Sequence, residues 1–220
     1  MALWTPDSIS SKIEVWIDGD NTDTYTDDGS GNITAMNIYP DSSEQITLSG
    51  TPIIVAAGLN GLNTINTSNG FALPQDVDLV ECSVFFVTKP VSGSYPGMFG
   101  YAGANVQYRF NGLSAFEVVG APTLWGNSTK LYNIPNTSFN RISLAASSSA
   151  LIPRLNGVEG TAGTGTQSTA YINQIGTCYG GTFSGEIAEI LIVSMVDGDN
   201  PGVEEVEGYL AHKWGLSALL

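Results

Sequence analysis

Residues 81–88 read Glu-Cys-Ser-Val-Phe-Phe-Val-Thr, and this stretch decides the fold. Val84, Phe85, Phe86 and Val87 are consecutive, so apolar side chains leave both faces of an extended segment. A strand apolar on both faces belongs in the middle of a sheet that is covered on both sides. Lys89 and Pro90 close the run. Cys82 alternates with Val80, Val84 and Phe86, which reads as a reduced core thiol; a bridge from Cys82 to Cys178 stays open at this level.

The pattern extends outward in both directions. Residues 12–18 (KIEVWID) alternate Ile13, Val15 and Ile17 with Glu14, Trp16 and Asp18, a strand with one face on the core. Residues 18–32 hold five aspartates among Gly, Asn, Ser and Thr, and read as a polar loop. Residues 33–39, 46–48 and 53–57 are further strands, separated by polar turns. Short aromatic strands recur over residues 98–119, and residues 141–146, 151–155, 170–176 and 185–193 bring the count to about a dozen. With 26 glycines and only 13% charged residues, the composition is that of short strands joined by turns. No internal repeat or linker divides the chain, so residues 1–220 are expected to form one domain: an all-β, antiparallel two-sheet sandwich. Residues 1–11 form an N-terminal arm.

Only the C-terminus changes period. Val203, Val206, Leu210 and Trp214 fall on one stripe, which predicts a short C-terminal α-helix over residues 200–215. Asp199 or Asn200 would cap it, Pro201 would occupy the first turn, and Gly215 would end it. Glu204 and Glu205 near its start, and His212 and Lys213 near its end, suit the helix dipole. The stripe is expected to close the sandwich, with Trp214 and Trp16 as anchors.

Seven basic residues against 21 acidic give a net charge of -14, which excludes nucleic-acid binding as the main task. No apolar run approaches membrane-spanning length, so no membrane insertion is expected. The first ten residues lack the basic and apolar regions of a secretory signal.

The segment over residues 185–216, GEIAEILIVSMVDGDNPGVEEVEGYLAHKWGL, resembles the last strand and closing helix of the concanavalin A-like, laminin G-like (LamG) jelly-roll family of phage and bacterial surface proteins. Its marks are Gly-Glu-Ile-Ala-Glu followed by aliphatics, then Tyr-Leu-Ala-His-Lys-Trp-Gly-Leu at residues 209–216. The opening WTPDSISSKIEVWIDGDN is similar to the family's first strand and acidic turn. Residues 52–69 resemble its Asn-Gly strand pair, and residues 81–90 its central strand. Residues 36–42 depart from the Trp-x-Asp-x-Ser-Gly stretch usual after the first strand. The resemblance implies a jelly-roll β-sandwich; fold alone does not assign function.

Relatives of this architecture include glucanases whose catalytic acids alternate along one strand and so share a groove. Here that strand would carry Glu186, Ala188 and Ile190, with Glu189 on the opposite face, so no catalytic residue is assigned and no enzyme is expected. His212 is the single histidine, which leaves no Ser-His-Asp or Cys-His system beyond it, and no transition-metal or phosphate-binding motif occurs. No cofactor is expected. Calcium is the one plausible ion, through Asp18, Asp20 and Asp23, with Asp27 and Asp28 in the same loop. The EF-hand order fails there, because Asp23 stands where Gly is required and Gly29 where the bidentate Glu belongs; a solvated acidic loop is favoured.

Glycan binding needs exposed aromatics beside amide and carboxylate partners. Residues 92–105 offer Tyr95 and Tyr101, and residues 120–136 offer Trp125, Asn127 and Tyr132; the same rings could instead cover sheet edges. The expected function is a non-enzymatic virion surface protein of a phage-like particle, a capsid decoration or tail-associated module made in the host cytoplasm. Its partners would be capsid or tail proteins and copies of itself, with a trimer favoured, and a polysaccharide as a further ligand. A stand-alone lectin-like adhesin is the alternative, and a glycoside hydrolase or lyase a more remote one.

Overall fold

A computed structural model describes residues 5–38, 44–80, 82–92, 96–102, 106–112, 115–120, 130–132, 134, 138–146, 149–164, 170–178, 181–194 and 202–216. A 3₁₀ helix (Pro6–Lys12) leads into β1 (Ile13–Asp18), β2 (Tyr25–Asp27), β3 (Ile33–Asn37), β4 (Gln45–Leu48), β5 (Ile53–Leu59), β6 (Leu62–Thr67) and β7 (Phe71–Asp78). Next come β8 (Ser83–Ser92), β9 (Gly97–Gly100), β10 (Val106–Asn111), β11 (Ala115–Gly120), β12 (Lys130–Tyr132), β13 (Asn140–Ala146) and β14 (Ala150–Leu155). The chain continues through β15 (Val158–Glu159), β16 (Gly163–Thr164), β17 (Tyr171–Ile175), β18 (Thr177–Cys178), β19 (Gly181–Thr182), β20 (Ser184–Val193) and α1 (Val203–Lys213).

Two large antiparallel sheets result. The first runs β15-β14-β13-β8-β20-β6-β5, with β1 also on β20 and β16 on β14. The second runs β12-β11-β10-β9-β17-β7-β4-β3-β2, and β18 and β19 form a separate two-stranded hairpin. The protein is thus a β-sandwich with one C-terminal helix. Between the sheets, Phe86 of β8 meets Phe99 of β9 and Phe116 of β11, both at 5.4 Å between ring centroids, in the edge-on and tilted arrangements that aromatic quadrupoles favour.

The unbroken apolar run in β8 is explained by its position. Phe86 faces the core between the sheets, while Phe85 and Val87 belong to a second cluster with Trp16, Leu191, Val203, Val206, Leu210 and Trp214. That second cluster lies under α1, which covers the outer face of the first sheet. The same cover explains β1, where Trp16 and Asp18 are buried as well as Val15 and Ile17. One-sided burial was expected there, and the helix buries the other side.

The sequence-based elements and the structure differ in several places. The acidic loop contains β2, because Tyr25 buries its ring and donates its hydroxyl to Gly19 O. Strand β7 was missed, since Pro74, Gln75 and Asp76 interrupt the apolar alternation on its exposed side. The helix begins at Val203 with Gly202 at its cap; Asp199, Asn200 and Pro201, expected at its start, lie outside the described residues. Cys82 agrees with its reading as a reduced core thiol: it and Cys178 are both free and buried, and the bridge left open above is not formed. The Asn60-Gly61 turn joining β5 and β6 has φ of 52° and 76°, the left-handed pair that a tight hairpin requires.

Candidate carbohydrate-binding face

The helix-covered side of the sandwich is occupied by its own residues. Glu189 is completely buried, and four donors converge on its carboxylate. Trp16 Nε1 (2.8 Å) and the Tyr209 hydroxyl (3.1 Å) reach Oε1, while Trp214 Nε1 (2.7 Å) and Lys213 Nζ (3.0 Å) reach Oε2. A carboxylate has about four acceptor positions. Lys213 also pairs with Asp18, and its carbonyl accepts from Asn60 Nδ2 at 2.8 Å, which fixes the helix end. Burial, with the charge of Asp18 beside it, pushes the Glu189 carboxyl up to about 7 against the pull of Lys213 and the Trp214 N–H. Farther along α1, Glu207 accepts from the Ser143 hydroxyl, its carbonyl takes Arg141 Nη1 at 2.9 Å, and Glu204 pairs with Arg154 at 2.7 Å.

These contacts correct one expectation. The register of β20 shifts between Ile187 and Glu189, a bulge that turns Ala188 and Glu189 to the same outer side. Glu189 therefore shares a face with Glu186 rather than opposing it. Glu186 is engaged there by Lys89 at 2.7 Å and Thr64 at 3.1 Å. Both acids are held by neighbours, and α1 lies over Glu189.

The outer face of the second sheet is built differently. On β10, Tyr108 and Phe110 enter the core, so Gln107, Arg109 and Asn111 face outward; on β11, Glu117 does the same between Phe116 and Val118. Arg109 donates from Nε (2.9 Å) and Nη2 (2.8 Å) to Glu117 Oε1 and from Nη1 to Gln107, and Asn111 Nδ2 donates to Glu117 Oε2 at 3.2 Å. Beside this group the β18–β19 hairpin folds onto β9. A Cβ at Gly97 would lie 2.6 Å from Cys178 N and Sγ, and one at Gly100 2.7 Å from Thr177 O, so the glycines make the approach possible.

Past the hairpin lies a second polar group, drawn from β7, β17 and the residue after β9. Tyr101 donates its hydroxyl to Asp76 Oδ2 at 2.9 Å, and Asn173 Nδ2 donates to Asp76 Oδ1 at 3.0 Å. Asn173 Oδ1 accepts from Ala102 N at 2.9 Å, so both ends of the amide are fixed. The rings of Tyr101 and Tyr171 stand 6.2 Å apart at 37°, with Tyr171 41% exposed. The hydrogen bond to Asp76, and then its charge, raise the Tyr101 hydroxyl above its ordinary pKa.

Of the rings proposed from sequence, Tyr101 belongs to this group. Tyr132 lies on β12, where its backbone pairs with Ala115 across from β11. Tyr95, Trp125 and Asn127 lie outside the described residues. Sequence reasoning missed Asp76, Tyr171, Asn173, Arg109 and Glu117. The signal for the last two was the alternation in VQYRFN, where polar side chains at 107, 109 and 111 must share one face.

Two of the three proposed calcium ligands are engaged by other residues. Asp18 is buried on Lys213 and accepts from Asp20 N at 3.0 Å, Asp20 accepts from Asn63 N at 2.9 Å, and Asp23 is exposed. Among the described residues no group of three or more acids, histidines or cysteines has the spacing to hold a metal ion. Trp16 and Trp214 are both buried, each on Glu189.

No family model and no curated protein matches the chain. Several solved structures share its architecture. Domain 4 of AbnA, a GH43 extracellular arabinanase from Geobacillus stearothermophilus, solved in complex with arabinotriose, is similar with a TM-score of 0.55 and 18% identity over 83% of this chain and 92% of that one. The receptor binding domain of botulinum neurotoxin type G gives 0.54 and 11%, covering 90% of this chain and 51% of that one. A mutant of Trypanosoma rangeli sialidase displaying trans-sialidase activity gives 0.56 and 7%, covering 93% of this chain and 34% of that one. The chain thus spans nearly all of the arabinanase domain, half of the toxin domain and a third of the sialidase. At such identities the likeness shows the fold: a two-sheet β-sandwich consistent with the concanavalin A-like jelly roll that the closing strand and helix suggested.

Proposed function

We propose that the protein is a non-enzymatic carbohydrate-binding β-sandwich whose binding face is the outer side of the second sheet. The observation that carries the reading is the group of Tyr101, Tyr171, Asp76 and Asn173: two rings at an angle, beside a carboxylate and an amide already held in place. Sugar recognition uses such parts, an apolar ring for the C–H face and fixed polar groups for the hydroxyls. The similar arabinanase domain, solved with arabinotriose bound, supports a saccharide as ligand. The non-enzymatic reading is supported by Glu186 and Glu189, each taken up by hydrogen bonds on the opposite side of the sandwich.

The finer reading keeps the setting suggested by residues 185–216: a surface protein of a phage-like virion, attached at capsid or tail, in trimeric form. An acidic, lysine-poor surface suits dense display, because like charge keeps neighbouring copies from aggregating. Imaging of the native particle, with and without the protein, tests the setting; density that does not change would refute it. Binding is tested by calorimetry of the isolated protein against soluble polysaccharides, with Tyr171→Ala as the comparison. Saturable heat that Tyr171→Ala abolishes is expected, and heat unaffected by the substitution would move the site elsewhere.

A further inference from the structure

The carboxylate at the centre of the proposed face also bears on which saccharides it accepts. Asp76 Oδ1 takes the Asn173 amide and Oδ2 takes the Tyr101 hydroxyl, one donor on each oxygen. Each carboxylate oxygen has two acceptor positions, so each retains one. Asp76 is exposed, and the two remaining positions are a carboxylate's width apart. An ionised carboxylate only accepts, so its complement is a pair of donors at similar spacing, which neighbouring hydroxyls of a sugar ring provide. Asn173 is fixed at both ends, and Tyr101 is held by its hydroxyl, so little side-chain freedom remains to be lost on binding.

Acidic sugars meet the opposite conditions. A uronate or sialate brings a second acceptor toward Asp76, and two like charges in contact repel. Arg109, the cation described on this face, already gives Nε and Nη2 to Glu117 and Nη1 to Gln107. Recruiting it would leave the buried Glu117 charge without its cation. The chain's net charge of -14 adds a repulsion at longer range.

We propose that the Asp76 group binds neutral saccharides through two adjacent hydroxyls and discriminates against acidic ones. This rests on the carbohydrate-binding reading above and specifies its ligand class.

An array decides the matter if it carries neutral arabino-, xylo-, gluco- and galacto-oligosaccharides, each beside a uronic-acid or sialylated counterpart, at about 0.15 M salt to limit long-range screening differences. The expected result is binding to one or more neutral members, with acidic counterparts weaker by about tenfold or more, and Asp76→Asn lowering neutral binding by about tenfold with an unchanged melting temperature. Equal or stronger binding of acidic members would overturn this inference and leave carbohydrate binding standing. Neutral binding that Tyr171→Ala abolishes but Asp76→Asn leaves intact would do the same. Failure of the wild-type protein to bind any member would overturn both.

Discussion

Glu189 shows how much one residue organises. It sits completely buried in an apolar strand, a position that costs several kcal/mol for a charge unless it is compensated. Two indole N–H groups, a phenol and an ammonium provide that compensation, and three of the four come from α1 or the residue directly after it. Helix and sheet are therefore joined by hydrogen bonds as well as by the apolar stripe. Trp214→Ala removes a fully buried ring and one of these donors, so a loss of about 3–5 kcal/mol in unfolding free energy is expected by denaturant titration. A near-native midpoint would mean that α1 does not close the sandwich. The acid's pKa rises from 4.5 to about 7 on folding, so the native state holds the extra proton between those values. The stabilisation from this group is full below pH 4.5 and is lost as the pH rises through about 7. Wild-type stability relative to Glu189→Gln should accordingly fall as the pH rises over that window, and a relative stability that rises would contradict the shift. The stripe of Val203, Val206, Leu210 and Trp214 was legible in the sequence. Burial of Glu207 and Glu189 was not, because their partners Ser143 and Trp16 lie far away in the chain.

Among the elements, those with strict alternation or an unbroken apolar run were legible: β1, β13 and β20 appear where their residues place them, while β8 contains the apolar run but continues through Lys89 and Pro90, which were expected to close it, to Ser92. Strand β7 was not, since a proline and polar residues on the solvent side mask its inward Phe71, Leu73 and Val77. The β20 bulge was equally hidden, because a one-residue register shift leaves no mark in hydropathy and yet moves Glu189 to another face. The candidate site was half visible for a related reason. Tyr101 could be singled out as a loop aromatic, whereas Asp76 and Asn173 become its neighbours only when β7, β17 and β9 lie side by side. The β18–β19 hairpin offers its own test. Gly97→Val puts a branched side chain where Cys178 packs, so the hairpin should lift from β9. Burial pushes the Cys178 thiol up to about 11 and keeps it unreactive. Faster labelling of Cys178 by a thiol reagent in the variant, with the β-sheet circular dichroism retained, is the expected outcome; unchanged labelling would show that the glycine does not control the docking.

At the scale of the whole molecule, the two sheets differ in what their outer sides are free to do. The first is covered by α1, beneath which Glu189 and Glu207 are held by hydrogen bonds, whereas the second presents Asp76, Asn173 and Tyr171 on the side away from the helix. The acidic loop contributes to folding through Asp18 and Asp20 in ways that need no ion, so the melting temperature should be unchanged by EDTA; a drop of many degrees would reveal a bound metal. The central claim is that saccharides bind the outer side of the second sheet, and hydrogen exchange of the protein with and without a saturating oligosaccharide tests it most directly. Added protection is expected in residues 71–78, 97–102 and 171–178, with α1 and β1 unchanged. Protection confined to α1, β1 or β20, or no change at saturation, would contradict it.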